Sequence, residues 1–392
     1  MGSRVTVGEI AAINARQYST KEQWSQIEYL DTGSVIKGVI QEVQMLDPTV
    51  DNVPSRCRRK VSNGSILYSM VRPNQEHYAL LSDPPKNMLV STGFSVIDAD
   101  LSCVMPEFLY YVLTMPRVTT YFQALAEQCV STYPTLSVSD LTSFEIDLPS
   151  MENQKAISAV LKGFDEKISL NNRLNDYLEE LGQVLLGGYI DECSKLAPLG
   201  DIMSFGNGFA FNGSSYTGSG TYKVLTIKNV QDGKVDCSTS NRVDRLPQKM
   251  KEFCRLQMGD VVLSLTGNVG RVGIVAEENC LLNQRVAVLR PFSKRNLPGL
   301  YFFFRQKSFQ SAMIGIAKGT AQANLSPVET LQLSIPYEIE AFERLSDDLK
   351  PIFDSILANM VESRYLAELR DALLPKLIAG EIDVSEISSC SD

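Results

Sequence analysis

The chain has 392 residues, of which 44% are hydrophobic and 21% are charged, and this is enough for at least two packed domains. The net charge of −9 excludes a uniformly basic surface, and no apolar run reaches the roughly 18 residues that a membrane-spanning helix needs. The first residues lack a long apolar stretch of the secretory type and the eight cysteines are scattered singly, so a cytoplasmic protein with reduced thiols and no membrane partner is expected.

The first 150 residues are predicted to form a mixed α/β domain. Strand-like runs such as SILYSMV and MLVSTGFSVI are bounded by Gly, Pro, Asn and Asp. The aromatic-rich segment EFLYYVLTMPRVTTYFQALAE predicts helix, and a last strand ends at Pro149. This part of the chain also contains a dense basic cluster, Arg56, Arg58, Arg59 and Lys60.

Residues 151–194 are predicted to form a long helical arm. Apolar residues recur at three- and four-residue spacing, which is typical of a coiled-coil seam. The predicted stripe comprises Ile157, Val160, Leu161, Phe164, Ile168, Leu174, Leu178, Leu181 and Leu185. Because exposing such a stripe to water is unfavourable, we expect a second helix to cover it.

The second half of the chain repeats this order. Residues 195–336 contain strand-like runs and the aromatic segment LYFFFRQKSFQSAMIGIA, residues 337–380 form a second arm, and residues 381–392 form a tail. The second stripe comprises Leu345, Leu349, Ile352, Ile356, Met360, Leu366, Leu369, Leu373 and Leu377. The two arms are predicted to pair as an antiparallel coiled coil.

Five pairs of segments align in the same order in the two halves, at offsets of 187 to 195 residues. Examples are VGEI with LGDI, GSILYSM with GDVVLSL, and PEFLYYVL with PGLYFFFR. Because this period has the size of a domain, it indicates tandem duplication of a whole domain with its arm. The predicted fold class is therefore α/β (mixed α+β), with two duplicated globular domains separated by two long helices.

Charge is distributed unevenly between the two copies. Residues 1–150 carry 11 Lys/Arg against 16 Asp/Glu, whereas residues 197–335 carry 16 against 9. A phosphate backbone responds to local basic surface and not to the average charge of a chain, so nucleic-acid binding stays open.

The sequence offers little for catalysis. His77 is the single histidine, so His-based triads and His/Cys metal clusters are not expected. SDPPK resembles the Asp-Pro-Pro-aromatic motif of adenine methyltransferases only superficially, because Lys86 stands where an aromatic ring would stack on a base. No catalytic constellation, metal site or cofactor of this chain is predicted.

The order of domain, arm, domain and arm resembles the specificity (S) subunits of type I restriction-modification systems, over essentially the whole chain. LPSMENQKAISAVLKGFDEKISLNNRLNDYLEELGQVLL resembles the family's central conserved region, and YLAELRDALLPKLIAGEIDV its distal one. ILYSMVRPN, STGF, LSLTGNVGRVGIV, LLNQRVAVL and GTAQANLS resemble recurrent segments of its target recognition domains.

This resemblance implies a non-catalytic DNA reader. Each target recognition domain would read one half of a bipartite double-stranded DNA site, and the arms would set the spacer. Two methyltransferase subunits would dock on the arms and restriction subunits would join them; S-adenosylmethionine, ATP and Mg²⁺ would be bound by these partners. With both domain copies present, no self-dimer is required. Two alternatives stay open: a coiled-coil scaffold without a DNA role, and a stand-alone DNA-modifying enzyme.

Bases are read by Arg, Asn and Gln, and phosphates are held by Lys, Arg and hydroxyl groups. In the first domain the candidate DNA contacts are Arg56, Arg58, Arg59, Lys60, Arg72, Asn74, Ser91, Thr92, Ser131, Thr132 and Tyr133. In the second they are Lys228, Thr266, Asn268, Arg271, Gln284, Arg285, Lys318, Thr320, Gln322 and Asn324. Some of these are expected to be ordinary turn residues, and the YFFF run is predicted to be core.

Overall fold

The first domain is built from short strands, as its alternation of β-branched and turn residues predicts. The computed structural model of the protein describes residues 3–129, 133–319 and 323–382. The strands are β1 (Ser3–Thr6), β2 (Ala11–Ile13), β3 (Ile27–Leu30), β4 (Val35–Ile36), β5 (Val39–Ile40), β6 (Gln44–Leu46), β7 (Cys57–Lys60), β8 (Ile66–Ser69), β9 (Tyr78–Leu80), β10 (Met88–Ser91), β11 (Phe94–Ala99) and β12 (Glu145–Leu148). The helices are α1 (Val7–Ile10), α2 (Pro106–Leu113), α3 (Pro116–Glu127), α4 (Val138–Thr142) and the long α5 (Met151–Glu192).

Two four-stranded sheets organise this domain. One has the order β2-β11-β8-β9 and is antiparallel throughout, with Ile66 opposite Ile97. The other has the order β6-β3-β10-β7, in which β3 and β10 are parallel and β7 is an edge strand. α2 and α3 pack on the first sheet through Phe108 and Phe122, which are fully buried with Ile66 in one apolar cluster.

The second domain has its own set of strands and helices. The strands are β13 (Leu196–Pro198), β14 (Met203–Asn207), β15 (Tyr222–Leu225), β16 (Gly233–Lys234), β17 (Asn241–Val243), β18 (Val261–Ser264), β19 (Val272–Ile274), β20 (Cys280–Leu282), β21 (Val286–Pro291) and β22 (Ser334–Pro336). The helices are α6 (Leu297–Arg305), α7 (Lys307–Ile316), α8 (Pro327–Thr330) and the long α9 (Ile339–Ala379). The YFFF run is buried at every position, so the prediction that it is core is confirmed.

The duplication is present in the strand topology. The order β2-β11-β8-β9 is matched by β14-β21-β18-β19, and the parallel pair β3/β10 by the parallel pair β15/β20. In each copy the first strand pairs with the last, β1 with β12 and β13 with β22. Two copies of one topology therefore follow each other along the chain.

The two long helices pack antiparallel. The chain divides into two compact units, Met1–Glu166 with Leu366–Asp392, and Lys167–Tyr365. In the first unit, Ile157 and Leu161 of α5 share a buried cluster with Leu374 and Leu377 of α9. In the second, Leu186 of α5 shares one with the early α9 residues Leu345, Leu349 and Ile352. Over the described residues, none of the helices has both the length and the apolarity to cross a lipid bilayer.

The predicted stripe is wrong at four positions. Leu174, Leu181 and Leu185 of α5 and Leu369 of α9 are exposed by 43%, 48%, 38% and 47%. The buried face of α5 in the second unit instead runs through Asn171, Asn175, Leu178, Gly182 and Leu186. The two asparagines keep the three- and four-residue spacing although they are polar, so a stripe drawn through leucines alone takes the wrong face.

Hydrogen bonds satisfy these asparagines. Asn171 Nδ2 donates to Glu362 Oε2 at 2.7 Å and to Ser363 Oγ at 3.2 Å, and Asn359 Nδ2 donates to Asn175 Oδ1 at 2.8 Å. Asn171 is only 1% exposed. A buried amide with partners costs far less than one without, and polar seam positions select one helix pairing over others.

We predict that Gly182→Ala destabilises the second unit. A Cβ at this position would overlap the ring of Phe302, which is fully buried. Overpacking of this kind costs about 1–3 kcal/mol of unfolding free energy. Gly187→Ala in the same helix is the matched control, because its Cβ would meet nothing within 4 Å. Chemical denaturation should show a loss for the first variant and none for the second; equal stability of both would contradict the packing described here.

Candidate nucleic-acid interface

In the first domain, three polar segments meet at the backbone of Met70, directly after β8. The Met70 amide donates to the carbonyl of Gly93 at 3.1 Å, and the Met70 carbonyl accepts from the amide of Leu136 at 2.7 Å. The Thr92 amide in turn donates to the carbonyl of Arg56 at 2.9 Å. These bonds bring the turn after β8, the turn after β10, the start of the basic cluster and the segment before Leu136 to one end of the domain.

The second domain has the same junction at Leu265, directly after β18. Its amide donates to the carbonyl of Arg285 at 3.0 Å, and its carbonyl accepts from the amide of Leu325 at 2.7 Å. Met70 and Leu265 are 195 residues apart, the offset at which β8 and β18 align. The turn with Thr266, Asn268 and Arg271, the turn with Gln284 and Arg285, and the segment with Lys318 and Asn324 therefore lie together.

A hydroxyl group shapes the turn after each of these strands. Ser69 Oγ donates to the Val71 carbonyl at 3.0 Å, and Ser264 Oγ to the Thr266 carbonyl at 3.2 Å. In the second domain the turn continues through Gly267 and Gly270, whose φ values of +71° and +82° suit glycine. The turns are thus defined by local chemistry as well as by the junction.

Arg72 is held in an unusual conformation. Its φ of +50° is uncommon for a residue with a side chain, and its amide donates to the Pro134 carbonyl at 2.9 Å. Its guanidinium lies 4.8 Å from the centre of the Tyr133 ring. Asn74, in the same turn, donates its amide to Gln123 Oε1 at 3.2 Å. Arg72 and Tyr133 thus form a stacked pair with the planar faces that bases favour.

Lys228 lies close to the Gln284 turn because β15 and β20 are parallel and end side by side. The Asn283 amide donates to the Leu225 carbonyl at 3.1 Å. The turn that presents Lys228 is closed by Asn229, whose Oδ1 accepts from the Thr226 amide at 2.9 Å. Lys228 itself is exposed.

The predicted residues differ in how accessible they are. Those with exposed side chains are Arg56, Asn74, Thr92, Tyr133, Lys228, Asn268, Gln284, Arg285, Lys318 and Asn324. Arg58, Arg72, Thr266 and Arg271 are partly exposed, and Ser91 is buried. Ser131, Thr132, Thr320 and Gln322 lie outside the described residues.

Three of the predicted cations make contacts with other side chains of the protein. Arg59 is half-buried and donates to Asn14 Oδ1 and to the Phe94 carbonyl, and burial lowers the pKa of its guanidinium. Lys60 pairs with Glu22 and lies 5.1 Å from the centre of the Trp24 ring, and Lys318 pairs with Glu329. These contacts compete with any phosphate for the same charges, whereas Arg56 is exposed and forms no ion pair with another residue that the structure describes.

Asn283 is a shaping residue that the sequence pattern did not single out. Its buried Oδ1 accepts from the Arg285 amide at 3.2 Å, which sets the direction of the Gln284 turn. The signal was present, because an asparagine between two strand-like runs is a strong turn former. Within the described parts of the chain, no group of three or more His, Cys, Asp or Glu side chains is placed to hold a metal ion.

The fold and these surfaces define a binding protein with two related binding domains. A family model, the type I restriction modification DNA specificity domain, matches residues 4–180 and 194–356, which is most of the chain and one match for each copy. The chain therefore belongs to the family of type I restriction-modification specificity subunits. Within such a system its role is that of the DNA specificity subunit, which is not the catalytic one.

Relatives extend over the whole chain. The type I restriction enzyme HindI specificity subunit of Haemophilus influenzae is 22% identical over 457 aligned residues, covering 96% of this chain and 98% of that protein. The MjaIX specificity subunit of Methanocaldococcus jannaschii is 26% identical over 313 residues, 72% of this chain and 71% of that protein. The crystal structure of the S subunit from M. genitalium has a TM-score of 0.52 at 16% identity and covers 96% of both chains. The predicted fold class is confirmed.

We predict that Arg59→Met destabilises the first unit and that Arg56→Met does not. The Arg59 substitution leaves the Phe94 carbonyl without its donor, which costs about 1–3 kcal/mol. The exposed Arg56 substitution should stay within about 0.5 kcal/mol of wild type. Denaturation midpoints of the two variants measure this difference. A stable Arg59→Met protein with weakened DNA binding would instead assign Arg59 to the interface.

Proposed function

We propose that each domain reads one half of a bipartite duplex DNA site with the side chains around its junction. The first reading surface comprises Arg56, Arg72, Asn74, Thr92 and Tyr133, and the second comprises Lys228, Asn268, Gln284, Arg285 and Asn324. The observation that carries this proposal is the junction itself: equivalent backbone bonds at Met70 and Leu265 gather polar turn residues at the same place in both copies. The reading domains correspond to residues 1–150 and 195–336, and the arms to residues 151–194 and 337–380.

The chemistry of the second reading surface suits base readout. Gln284 and Arg285 are adjacent and exposed, and Arg is suited to the O6 and N7 acceptors of guanine while Gln is suited to adenine. Lys228, in the neighbouring turn, is suited to a phosphate. The excess of 16 Lys/Arg over 9 Asp/Glu in residues 197–335 supplies attraction for the backbone that does not depend on base sequence.

The arms are proposed to set the spacer between the two half-sites. α5 has 42 residues, which corresponds to a rod of about 60 Å. A pair of antiparallel helices is stiff along its axis. Its length would therefore fix the number of base pairs in the spacer between the two half-sites.

We further propose that a methyltransferase subunit docks on an exposed apolar face of α5. This face, the outer stripe, comprises Leu170, Leu174, Tyr177, Leu181 and Val184, which are 50%, 43%, 68%, 48% and 70% exposed. Their spacing of three and four residues places them on one side of the helix, away from the Asn171 face. Restriction subunits would join through that partner, and S-adenosylmethionine, ATP and Mg²⁺ would be held by the partners, with none of them bound by this chain.

We predict that Arg285→Ala relaxes the recognition of one half-site only. Loss of a base-reading guanidinium costs about 1–3 kcal/mol of binding free energy at its own base pair. Methylome sequencing of cells with the variant should show degenerate positions in one half and an unchanged other half. Arg245→Ala is the control, since Arg245 follows β17 beside the start of β15, at the opposite end of the sheet from Lys228.

Three measurements separate the alternatives. Duplex binding by the purified chain should weaken as salt rises, because phosphate contacts release counterions. Salt-independent or absent binding would favour a scaffold without a DNA role. Methylation by the chain without a partner would favour a stand-alone enzyme. Relaxation in both halves with Arg285→Ala would end the assignment of one domain to one half.

We predict that Tyr177→Glu with Leu181→Glu abolishes co-purification with the methyltransferase subunit and leaves the fold intact. Two carboxylates in an apolar contact lose their hydration and find no partner. Both positions are already exposed, so stability should change by less than about 1 kcal/mol. Asn172→Glu, on the opposite side of α5, is the matched control and should bind as wild type. Intact assembly of the double variant would place the partner elsewhere.

A further inference from the structure

A buried charged network connects α5 to the second domain. Tyr301 Oη donates to Glu179 Oε2 at 3.0 Å, and Arg305 Nε donates to Glu179 Oε1 at 3.1 Å. Arg305 also contacts Asp232 through Nη1. The side chains of Arg305 and Glu179 are only 14% and 19% exposed, so both charges are largely withdrawn from water.

Asp232 belongs to the turn that presents Lys228 on the second reading surface. Within this turn Asn229 Nδ2 donates to the Asp236 carbonyl at 2.9 Å, and the Gln231 amide donates to the Lys234 carbonyl at 2.9 Å. These hydrogen bonds close the turn into one unit. Arg305 binds that unit on one side and the carboxylate of α5 on the other.

Apolar packing already supplies the attraction between α5 and the domain. Leu178 and Leu186 of α5 lie in the same buried cluster as Phe302, and Gly182 allows its ring to approach the helix backbone. A buried ion pair adds little net stability, because desolvation of both charges offsets their attraction. It does impose direction, since a guanidinium and two carboxylates are satisfied in few geometries. Burial alone would lower the pKa of Arg305, but the neighbouring Tyr301, Glu179 and Asp232 outweigh this effect and raise it.

The first unit contains a related network of a tyrosine, a carboxylate and an arginine, in which the arginine lies on α9. Tyr111 Oη donates to Asp165 Oδ2 at 2.8 Å, and Arg370 pairs with Asp165 Oδ1. Asp165 lies on α5, as Glu179 does, and Tyr111 lies on the domain's own helix α2, as Tyr301 lies on α6. Tyr111 aligns with Phe303 and not with Tyr301, so the two networks use positions that the duplication does not relate. The contact between Tyr111 and Asp165 thus ties the first domain to α5, whereas Arg370 joins α5 to α9.

We propose that Glu179 and Arg305 are positioning residues for DNA reading: they fix the orientation of the second reading surface on α5, and thereby the spacer that the protein accepts. Asp165 holds the first domain in the same way through Tyr111. This inference rests on the proposed function. Without the network, the apolar contact still holds the domain on the helix but permits it to rock, so half-sites at neighbouring spacings are tolerated.

The test measures methylation by the chain assembled with its methyltransferase partner. The substrates are duplexes that carry the natural spacer, or a spacer one base pair shorter or longer. The variants are Glu179→Gln, which keeps the acceptor for Tyr301 but removes the charge, and Asp232→Asn, at a side chain that is 60% exposed. Asp176→Asn is the matched control: it makes the same change one turn earlier on α5, at an exposed residue with no ion pair in the described part of the chain.

For Glu179→Gln we expect the ratio of rates on natural and altered spacers to fall by roughly tenfold, the change that about 1.4 kcal/mol produces. Asp232→Asn should lower the ratio in the same direction by less, and Asp176→Asn should leave it at the wild-type value. Thermal unfolding is recorded in parallel. If Glu179→Gln is poorly folded, the spacer ratio of Asp232→Asn tests the inference instead.

Two outcomes overturn the inference. One is an unchanged ratio in both variants. The other is an equal loss of rate on all spacers together with a lower melting temperature, which would make the network purely structural. A wild-type assembly that shows no preference for any bipartite site would refute the proposed function instead.

Discussion

The arrangement of each candidate interface depends on two backbone hydrogen bonds at one residue, Met70 in the first domain and Leu265 in the second. Both residues are buried. In each, the backbone amide bonds to one segment and the backbone carbonyl to another. Because backbone groups make these bonds, they constrain where the chain runs and place no demand on the exposed side chains of the turns. The turns can therefore carry different exposed residues on one framework. This separation explains why the two copies agree closely in topology and hardly at all in the residues that they expose.

The helices show a similar division between attraction and direction. Leucine, isoleucine and phenylalanine side chains supply most of the free energy, because apolar burial contributes about 25 cal/mol per Å² and needs no particular geometry. Asn171, Asn175 and Asn359 interrupt that apolar face in the second unit with hydrogen bonds that only one pairing satisfies. The Glu179 network follows the same logic between helix and domain. Each polar group in these interfaces costs some stability and reduces the number of ways in which the elements can pack.

The long helices could be predicted from the sequence because their apolar period extends over about forty residues, and the bounds Met151–Glu192 and Ile339–Ala379 lie inside the predicted ranges. The face that these helices bury could not be predicted, because Asn171 and Asn175 are polar residues at positions on the buried face. The burial of Arg59 could be predicted in part, because Arg59 is two residues from the buried Cys57 in β7 and alternate residues of a strand share a face. The ion-pair partners of Lys60 and Lys318 could not be predicted, because only the folded chain brings Glu22 and Glu329 to them. The junctions are backbone features, and side-chain patterns do not report them.

One topology carries two opposite charge balances, 11 Lys/Arg against 16 Asp/Glu in residues 1–150 and 16 against 9 in residues 197–335. In the first domain the exposed cation Arg56 directly precedes the edge strand β7, next to the junction, so its positive charge is local. In the second domain the Lys and Arg residues are distributed along residues 197–335, and some are paired within the protein, such as Lys223 with Glu277 and Arg290 with Asp260. A spread field brings DNA to a surface but does not set its register. On the proposed function, register in the second domain would come from short-range contacts, among them those of the Lys228 turn, which Arg305 and Glu179 tie to the helix.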